Sequence, residues 1–518
     1  MLRKLYGVLA LIAVACLITS FAAAQENANI TGTVTDPTGA VIPNATVVLE
    51  NMSTGHTQHS VANSSGIYLF GNLNVGKYNL TVGAKGFRKT TIGGISVNTG
   101  QTVTENVTLS IGSASQTITV QAGALHLQTQ TNELSTLMTG KQVSQLSTNG
   151  RNVTALAALG LGVSNNLPAF SGVNALTSAN GISFNGTRAS HNIYLLDGGE
   201  LNDRGCGGCF SSLPSIDALS EFRTLDSNYP PYYGLGSGGV IMMVIKSGTR
   251  KYHGELYEFN QNQAYDANNY FTNLAHQARP EFKLNEPGGN IGGPLYIPHV
   301  YNTNRTKTFF FVNEEWRRLI QGSTPSIVNT IAAGNFPTLG QPLNYNVPAG
   351  GATPIVPITS DPAKMRLYAS DGLTMGKPFP NNVIPANLID QNAVREVNAG
   401  TFPRPNYGNA QYISSIPTVD NVHEDVVRID ETINSKLQLM GHFLHDGVSE
   451  TFYPPLWGDS SYPTVGTQMK NPSYSAVISL TQTINPNLLN VTAFDYSGNK
   501  ITLDPVNGPG GSFVQPNG

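Results

Sequence analysis

The chain has 518 residues, more than one compact core usually organises, so several domains are expected. A net charge of −3 sets up no field that would recruit nucleic acid, and charged residues make up only 12%, about half the usual soluble share. Glycine is abundant at 54, yet Val, Ile, Leu, Tyr and Phe are all well represented, which excludes a disordered chain and suits a β-rich exported one.

Residues 1–24 read as a signal peptide. Arg3 and Lys4 give a positive start, Leu5 to Ile18 an apolar stretch, and Ala22-Ala23-Ala24 a small-residue cleavage site. A membrane anchor helix and lipoprotein processing at Cys16 are the alternatives. No later segment is apolar for long enough to form a transmembrane helix. An exported chain of this kind is then either soluble or a β-barrel.

Residues 28–111 read as a small all-β domain. Ile30, Gly32 and Val34 alternate up to a turn at Asp36-Pro37-Thr38-Gly39, and Ala45, Val47 and Leu49 alternate after it. Further runs at Ile67 to Phe70 and Tyr78 to Val82 keep a spacing of about ten residues, the rhythm of a β-sandwich. His56-Thr57-Gln58-His59 lacks the glutamate of a zinc-protease helix and reads as a solvated loop.

Residues 112–250 read as a compact α+β unit. Thr117-Ile118-Thr119-Val120 is a short extended segment. Apolar spacing from Leu134 to Leu161, broken at Asn149-Gly150-Arg151-Asn152, predicts two short helices, and strands are expected at Ile182 to Phe184, Ile193 to Leu196 and Val240 to Ile245. Cys206-Gly-Gly-Cys209 is either a local disulfide or a pair of free thiols. Zinc would need about four ligands, and no second pair exists, so no metal site is expected. No nucleophilic elbow or phosphate loop is present, so no catalytic residue and no cofactor is assigned.

Residues 251–518 hold seven candidate strands of about ten residues: Tyr252 to Asn260, Leu284 to Ile297, Thr308 to Leu319, His423 to Glu431, Lys436 to Asp446, Ser475 to Ile484 and Leu488 to Gly498. Tight turns at Asn434-Ser435 and Asn485-Pro486-Asn487 contrast with a Pro- and Gly-rich stretch of about a hundred residues between Ile320 and Asn421, longer than compact soluble domains tolerate. Weak alternation with short turns on one side and long loops on the other is the pattern of a membrane barrel.

The N-terminal GTVTDPTGAVIPNATVVL and SSGIYLFGNLNVGKYNLTVGAKGF resemble the carboxypeptidase regulatory-like domain, a transthyretin-like sandwich. FNGTRASHNIYLLDGGELND, SEFRTLDSNY and GSGGVIMMVIKSGTRKYHGELYEF, followed by NIGGPLYIP, TFFFVNEEWRR and VVRIDETINSKLQLMGHF, resemble Oar-like TonB-dependent outer-membrane receptors. The resemblance implies a mainly β chain: a β-sandwich, then an α+β plug over residues 112–250, then the N-terminal part of a transmembrane antiparallel β-barrel. It also implies import of an extracellular ligand (glycan, peptide or metal chelate) across the outer membrane, energised through TonB and its inner-membrane complex, with the sandwich in the periplasm. Thr117, Ile118, Thr119 and Val120 stand where a TonB box would lie, although a plain linker strand fits as well.

Within the plug, Gly238 and Gly239 allow close packing, Asp197-Gly198 gives a turn headed by a carboxylate, and Arg188 is a reasonable partner for Asp197 or another lumen carboxylate. Arg151, in the family-like LSTNGRN, and Lys246, in GSGGVIMMVIKSGTRKYHG, are further structural or gating residues that the resemblance implies. The resemblance implies about twenty-two strands, and seven cannot close around a plug, so a fragment or truncated frame is expected. The alternative from another class is a secreted or surface-attached β-rich adhesin that recognises carbohydrate.

Overall fold

The computed structural model describes residues 28–508, apart from 114–116, 122–130, 147, 166–180, 204, 206–208, 234–235, 275, 277, 323–324, 349, 457–461 and 486–487. The leader at 1–24 and Cys206 therefore lie outside the described residues.

Nine strands build the N-terminal unit: β1 (Ala28–Thr35), β2 (Thr46–Asn51), β3 (Thr57–Val61), β4 (Ile67–Leu73), β5 (Gly76–Gly83), β6 (Lys89–Val97), β7 (Thr102–Thr104), β8 (Val107–Thr108) and β9 (Thr117–Gln121). One sheet runs β4-β1-β7 with β8 also on β1, and the other runs β3-β2-β5-β6-β9. The alternation of β1, buried at Ala28, Ile30 and Val34, and of β5, buried at Tyr78, Leu80 and Val82, turns one row of each sheet into a shared core. Tyr68, fully enclosed, donates its hydroxyl to Glu105 O at 2.6 Å. The segment Thr117–Gln121 is not a free linker, because β9 pairs in parallel with β6 from Lys89↔Thr117 to Gly93↔Gln121.

The middle unit holds β10 (Leu134–Thr139), β11 (Val163–Asn165), β12 (Ile182–Phe184), β13 (Ile193–Leu196), β14 (Gly199–Glu200), β15 (Asn202–Asp203), β16 (Cys209–Phe210), β17 (Leu219–Ser227) and β18 (Val240–Ile245). Five of these form a mixed sheet in the order β10-β17-β18-β13-β14. Every residue of β18 is buried because both faces are covered: Ile241, Met243 and Ile245 face one apolar cluster, and Val240 and Met242 face another. The two helices expected between Leu134 and Leu161 are only partly present. Leu134–Thr139 is a strand, paired with β17, ahead of a short helix Gly140–Gln145, and Val153–Leu159 is a 3-10 helix. Leu134, Leu137 and Met138 have helix-like spacing, but the edge of β17 offers this segment a full ladder, and tertiary pairing overrides the local pattern.

The third unit is an antiparallel sheet in sequential order: β19 (His253–Asn262), β20 (Phe282–Pro294) and β21 (Thr308–Gln321), then, beyond β22 (Ser326–Asn329), β23 (Leu343–Asn344), β24 (Val383–Ile384) and β25 (Gln411–Ser414) of the long insertion, β26 (Thr418–Asn434), β27 (Leu437–Phe452), β28 (Val465–Asn485) and β29 (Leu488–Asn499). These are the seven strands expected from the sequence. An eighth, β30 (Thr502–Asn507), continues along β28 beside β29. The stretch between β21 and β26 is not bare loop. It carries helices Pro362–Ser370 and Gln391–Asn398, N-capped by the side chains of Asp361 and Asp390, and a small core of Val356, Tyr368, Leu373 and Phe379.

This sheet is inverted. Along β26, Asp420, Glu424, Arg428 and Asp430 are buried, while Val427, Ile429 and Ile433 are exposed. Along β28, Asn471, Ser473 and Ser475 are buried, while Tyr474 and Ile478 are exposed. The polar face is covered by the middle unit, and the apolar face is bare, an arrangement that water penalises and lipid favours. Ile478→Lys is expected to lower the stability of the lipid-embedded protein by about 2–4 kcal/mol. The check is the urea-unfolding midpoint in vesicles, and an unchanged midpoint would count against a lipid-facing position.

Candidate functional site: a charged seam

The buried polar face of the third unit meets the middle unit along a seam of paired charges. Asp197 sits in the turn after β13 with φ +47°, followed by Gly198 at φ +86°, so the tight left-handed turn lifts its carboxylate out of the sheet. Arg428 Nη1 donates to Asp197 Oδ1 at 2.9 Å and to Ile245 O at 3.0 Å. Its Nε and Nη2 form a fork on Asp430 at 3.0 and 2.9 Å. His442 Nδ1 lies 2.8 Å from Asp197 Oδ2, and the Ile245 amide donates to Oδ1 at 3.2 Å. Burial pushes the Asp197 carboxyl up, but Arg428 and the His442 bond outweigh it and hold it below the ordinary carboxylate range. Ser247 Oγ and Asn74 Nδ2, the latter from the N-terminal unit, both donate to Asp430, at 2.7 and 3.4 Å.

A second cluster surrounds Arg151, which also has positive φ, at +49°. Its Nη2 lies 2.5 Å from Asp217 and 3.2 Å from Glu315, and its Nε lies 3.1 Å from Glu286. Arg317 donates to Glu286 at 2.6 Å and to Gly150 O at 2.7 Å. Tyr257 donates to Glu315 at 2.8 Å, and the Arg151 guanidinium lies 3.7 Å from the Phe259 ring centroid. Farther along, the Leu213 amide donates to Asp446 at 2.8 Å and Asn313 Nδ2 to Ser215 Oγ at 3.0 Å.

The N-terminal unit docks on the middle one through Thr99. Its amide donates to Glu221 at 2.8 Å, and its carbonyl accepts from Arg223, which also pairs with Glu133. Burial raises the Glu221 carboxyl to about 7. All three units border a cavity of about 130 Å³, lined among others by Asn51, Asn72, Asp197, Arg428 and Asp430.

Among the residues singled out from the sequence, Arg151 and Asp197 are centres of the two clusters. Gly238 and Gly239 admit no side chain: a Cβ would stand 2.3 Å from Asn192 Oδ1 and 2.4 Å from the Phe184 ring, respectively. Lys246 donates its amide to Ala218 O at 2.8 Å. Burial lowers its amine, against the opposing pull of Asp217 and Glu255. Arg188 is exposed, and the partners of Asp197 are Arg428 and His442 instead, because the carboxylate points at the third unit and not back into its own. Cys209 is buried and disulfide-bonded. Arg428, Asp430, His442, Glu286, Glu315 and Arg317 were not singled out from the sequence. The available signal was the alternation along β21 and β26, which sets Glu315 with Arg317, and Asp420, Glu424, Arg428 and Asp430, on one face of their strands.

A family model described as "Outer membrane beta barrel domain" matches residues 244–516, and one described as "Carboxypeptidase regulatory-like domain" matches residues 29–110. The TonB-dependent transporter Oar of Myxococcus xanthus is 35% identical over 77 residues, 15% of this chain and 7% of that protein. The outer membrane transporter YddB of Escherichia coli aligns with 70% of this chain and 38% of its own at a TM-score of 0.40 and 12% identity. The ferric enterobactin receptor PfeA of Pseudomonas aeruginosa aligns with 72% and 46% at 0.34 and 10%. The chain spans less than half the length of each of these relatives.

Two outcomes are expected from the seam. Arg428→Met strips the neutralising partner from Asp197 and Asp430 and should cost about 3–5 kcal/mol. The readout is easier urea release and faster protease cleavage of the middle unit, and unchanged cleavage would contradict it. Glu221 has a folded-state carboxyl raised from 4.5 to about 7. Its contribution is therefore fully present below about 4.5 and lost as the pH rises through about 7. Hydrogen exchange at the Thr99 amide should quicken beyond the intrinsic pH effect between pH 6 and 8, and Glu221→Gln should abolish the excess.

Proposed function

We propose that this chain, which belongs to the outer membrane β-barrel domain family and is an Oar-like TonB-dependent receptor, imports an extracellular ligand across the outer membrane. In this reading the third unit is barrel wall, the middle unit is the plug within it, and the N-terminal unit is a periplasmic sandwich. The observation that carries the reading is the inverted sheet, with charges facing inward against the middle unit and an apolar face outward. No step of chemistry belongs to it. The clustered charges are paired and immobilised, as suits a plug that must stay seated until pulled.

The short connections of the wall, such as the two-residue turn between Asn434 and Leu437, lie on the side of the sandwich, and the long insertion after β21 lies on the other. That polarity supports a periplasmic sandwich and an extracellular insertion suited to ligand capture. Glycans, peptides and metal chelates are the ligand classes in view.

Coupling to TonB runs through β9. Among the described residues its partner strand is β6, which leaves its other edge open to strand addition. A pull on β9 would act on the sandwich and, through Thr99 to Glu221 and Arg223, on β17 of the plug. With a cysteine at Val120 and one in the TonB strand, energised cells should yield a disulfide-linked complex. Adding Ile118→Pro should remove the complex without lowering the amount of receptor in the outer membrane. A cross-link that survives the proline would rule out β9 as the docking strand.

A further inference from the structure

On the outward face of the wall, away from the seam, Glu314 on β21 stands directly opposite Asp425 on β26, and Asp425 stands opposite His445 on β27. Like charges directly across a ladder are destabilising. They are more so on a face whose neighbouring rows, Val427, Ile429 and Phe443, are exposed and apolar. The nearby cation does not relieve them: Arg318 donates to Asn421, at 3.4 Å. His423 lies between the two carboxylates, its Nε2 2.5 Å from Glu314 Oε1 and 3.5 Å from Asp425 Oδ1.

We propose that Glu314, His423 and Asp425 bind a divalent transition-metal ion of the zinc class. One ligand atom from each lies within 4.8 Å of the others. Bonds of about 2.0–2.1 Å in a tetrahedron place ligand atoms about 3.3 Å apart. The His423–Asp425 separation already suits this, and the Glu314–His423 separation opens when the ion takes the Nε2 lone pair, the imidazole proton then sitting on Nδ1 so that the ring stays neutral. A mixed imidazole and carboxylate set favours zinc-class ions over calcium or magnesium.

The arrangement is held in advance. The Trp316 ring stacks on His423 at 5.2 Å with an interplanar angle of 5°. His445 Nδ1 lies 2.9 Å from Asp425 Oδ2 and is itself stacked on Tyr474 at 5.0 Å, so it orients the ligating carboxylate. The ligand side chains are about one-third exposed or slightly more and stand nearer the insertion end of the strands than the apolar Val427, Ile429 and Phe443, which leaves room for a fourth donor from solvent. The site does not depend on TonB coupling or on the ligand imported.

The test uses the chain extracted from outer membranes in detergent, stripped with chelator, and titrated with Co²⁺ and then Zn²⁺. Visible d–d absorption saturating at one cobalt per chain and bleached by zinc is the expected result. His423→Gln and Glu314→Gln should each abolish that absorption, and His445→Phe should weaken binding about tenfold. Substituting the exposed His276 with Gln should leave it unchanged. A urea-unfolding midpoint equal to that of wild type identifies folded variants, and only those are scored. No cobalt absorption from folded wild type, or absorption that survives both Gln substitutions, overturns the proposal.

Discussion

Arg428 is the point on which the three units converge. One guanidinium holds Asp197 of the middle unit, Asp430 of its own strand and the Ile245 carbonyl, and Asp430 in turn receives Asn74 from the N-terminal unit. The charge is affordable only because each donor direction has a fixed acceptor, since a buried arginine without them would cost several kcal/mol. The inverted sheet follows from the same constraint. A sheet that turns charges inward needs a partner that answers them, and the apolar rows Val427, Ile429 and Ile478 are then left for its outward face.

Much of this organisation is legible in the sequence. The seven wall strands stand out because aromatic and aliphatic runs recur between turn residues, and the Asp197-Gly198 turn and Arg151 are visible as local motifs. What is not legible is pairing between segments distant in sequence. Leu134–Thr139 has a helix-like spacing and becomes a strand only because β17 offers it an edge. Thr117–Gln121 reads as an extended segment, either a TonB box or a linker strand, and nothing local announces its pairing with β6. Asp197 suggests Arg188, its neighbour in sequence, whereas its partners come from β26 and β27, more than two hundred residues away.

The same reason explains why sequence reading expects no metal site. Spacing rules find ligands close together on one helix or loop. Glu314, His423 and Asp425 are brought together only by the register of β21 against β26, and a slip of β26 by one residue would turn His423 and Asp425 to the other face, away from Glu314. The seam likewise depends on register: shifting β26 by one residue would exchange Arg428 for Val427 or Ile429. Register and charge pairing therefore reinforce each other.

The most direct test of the central claim, an inverted wall covered on its polar face by the middle unit, is a nitroxide scan along β28 from Ser473 to Leu480 in outer-membrane vesicles. Collision rates with oxygen, which dissolves in lipid, and with a water-soluble nickel chelate are read at each position. High oxygen and low nickel access is expected at Tyr474, Ala476, Ile478 and Leu480. Low access to both is expected at Ser473, Ser475 and Val477. Nickel access at the second set, or no two-residue alternation at all, would contradict the account.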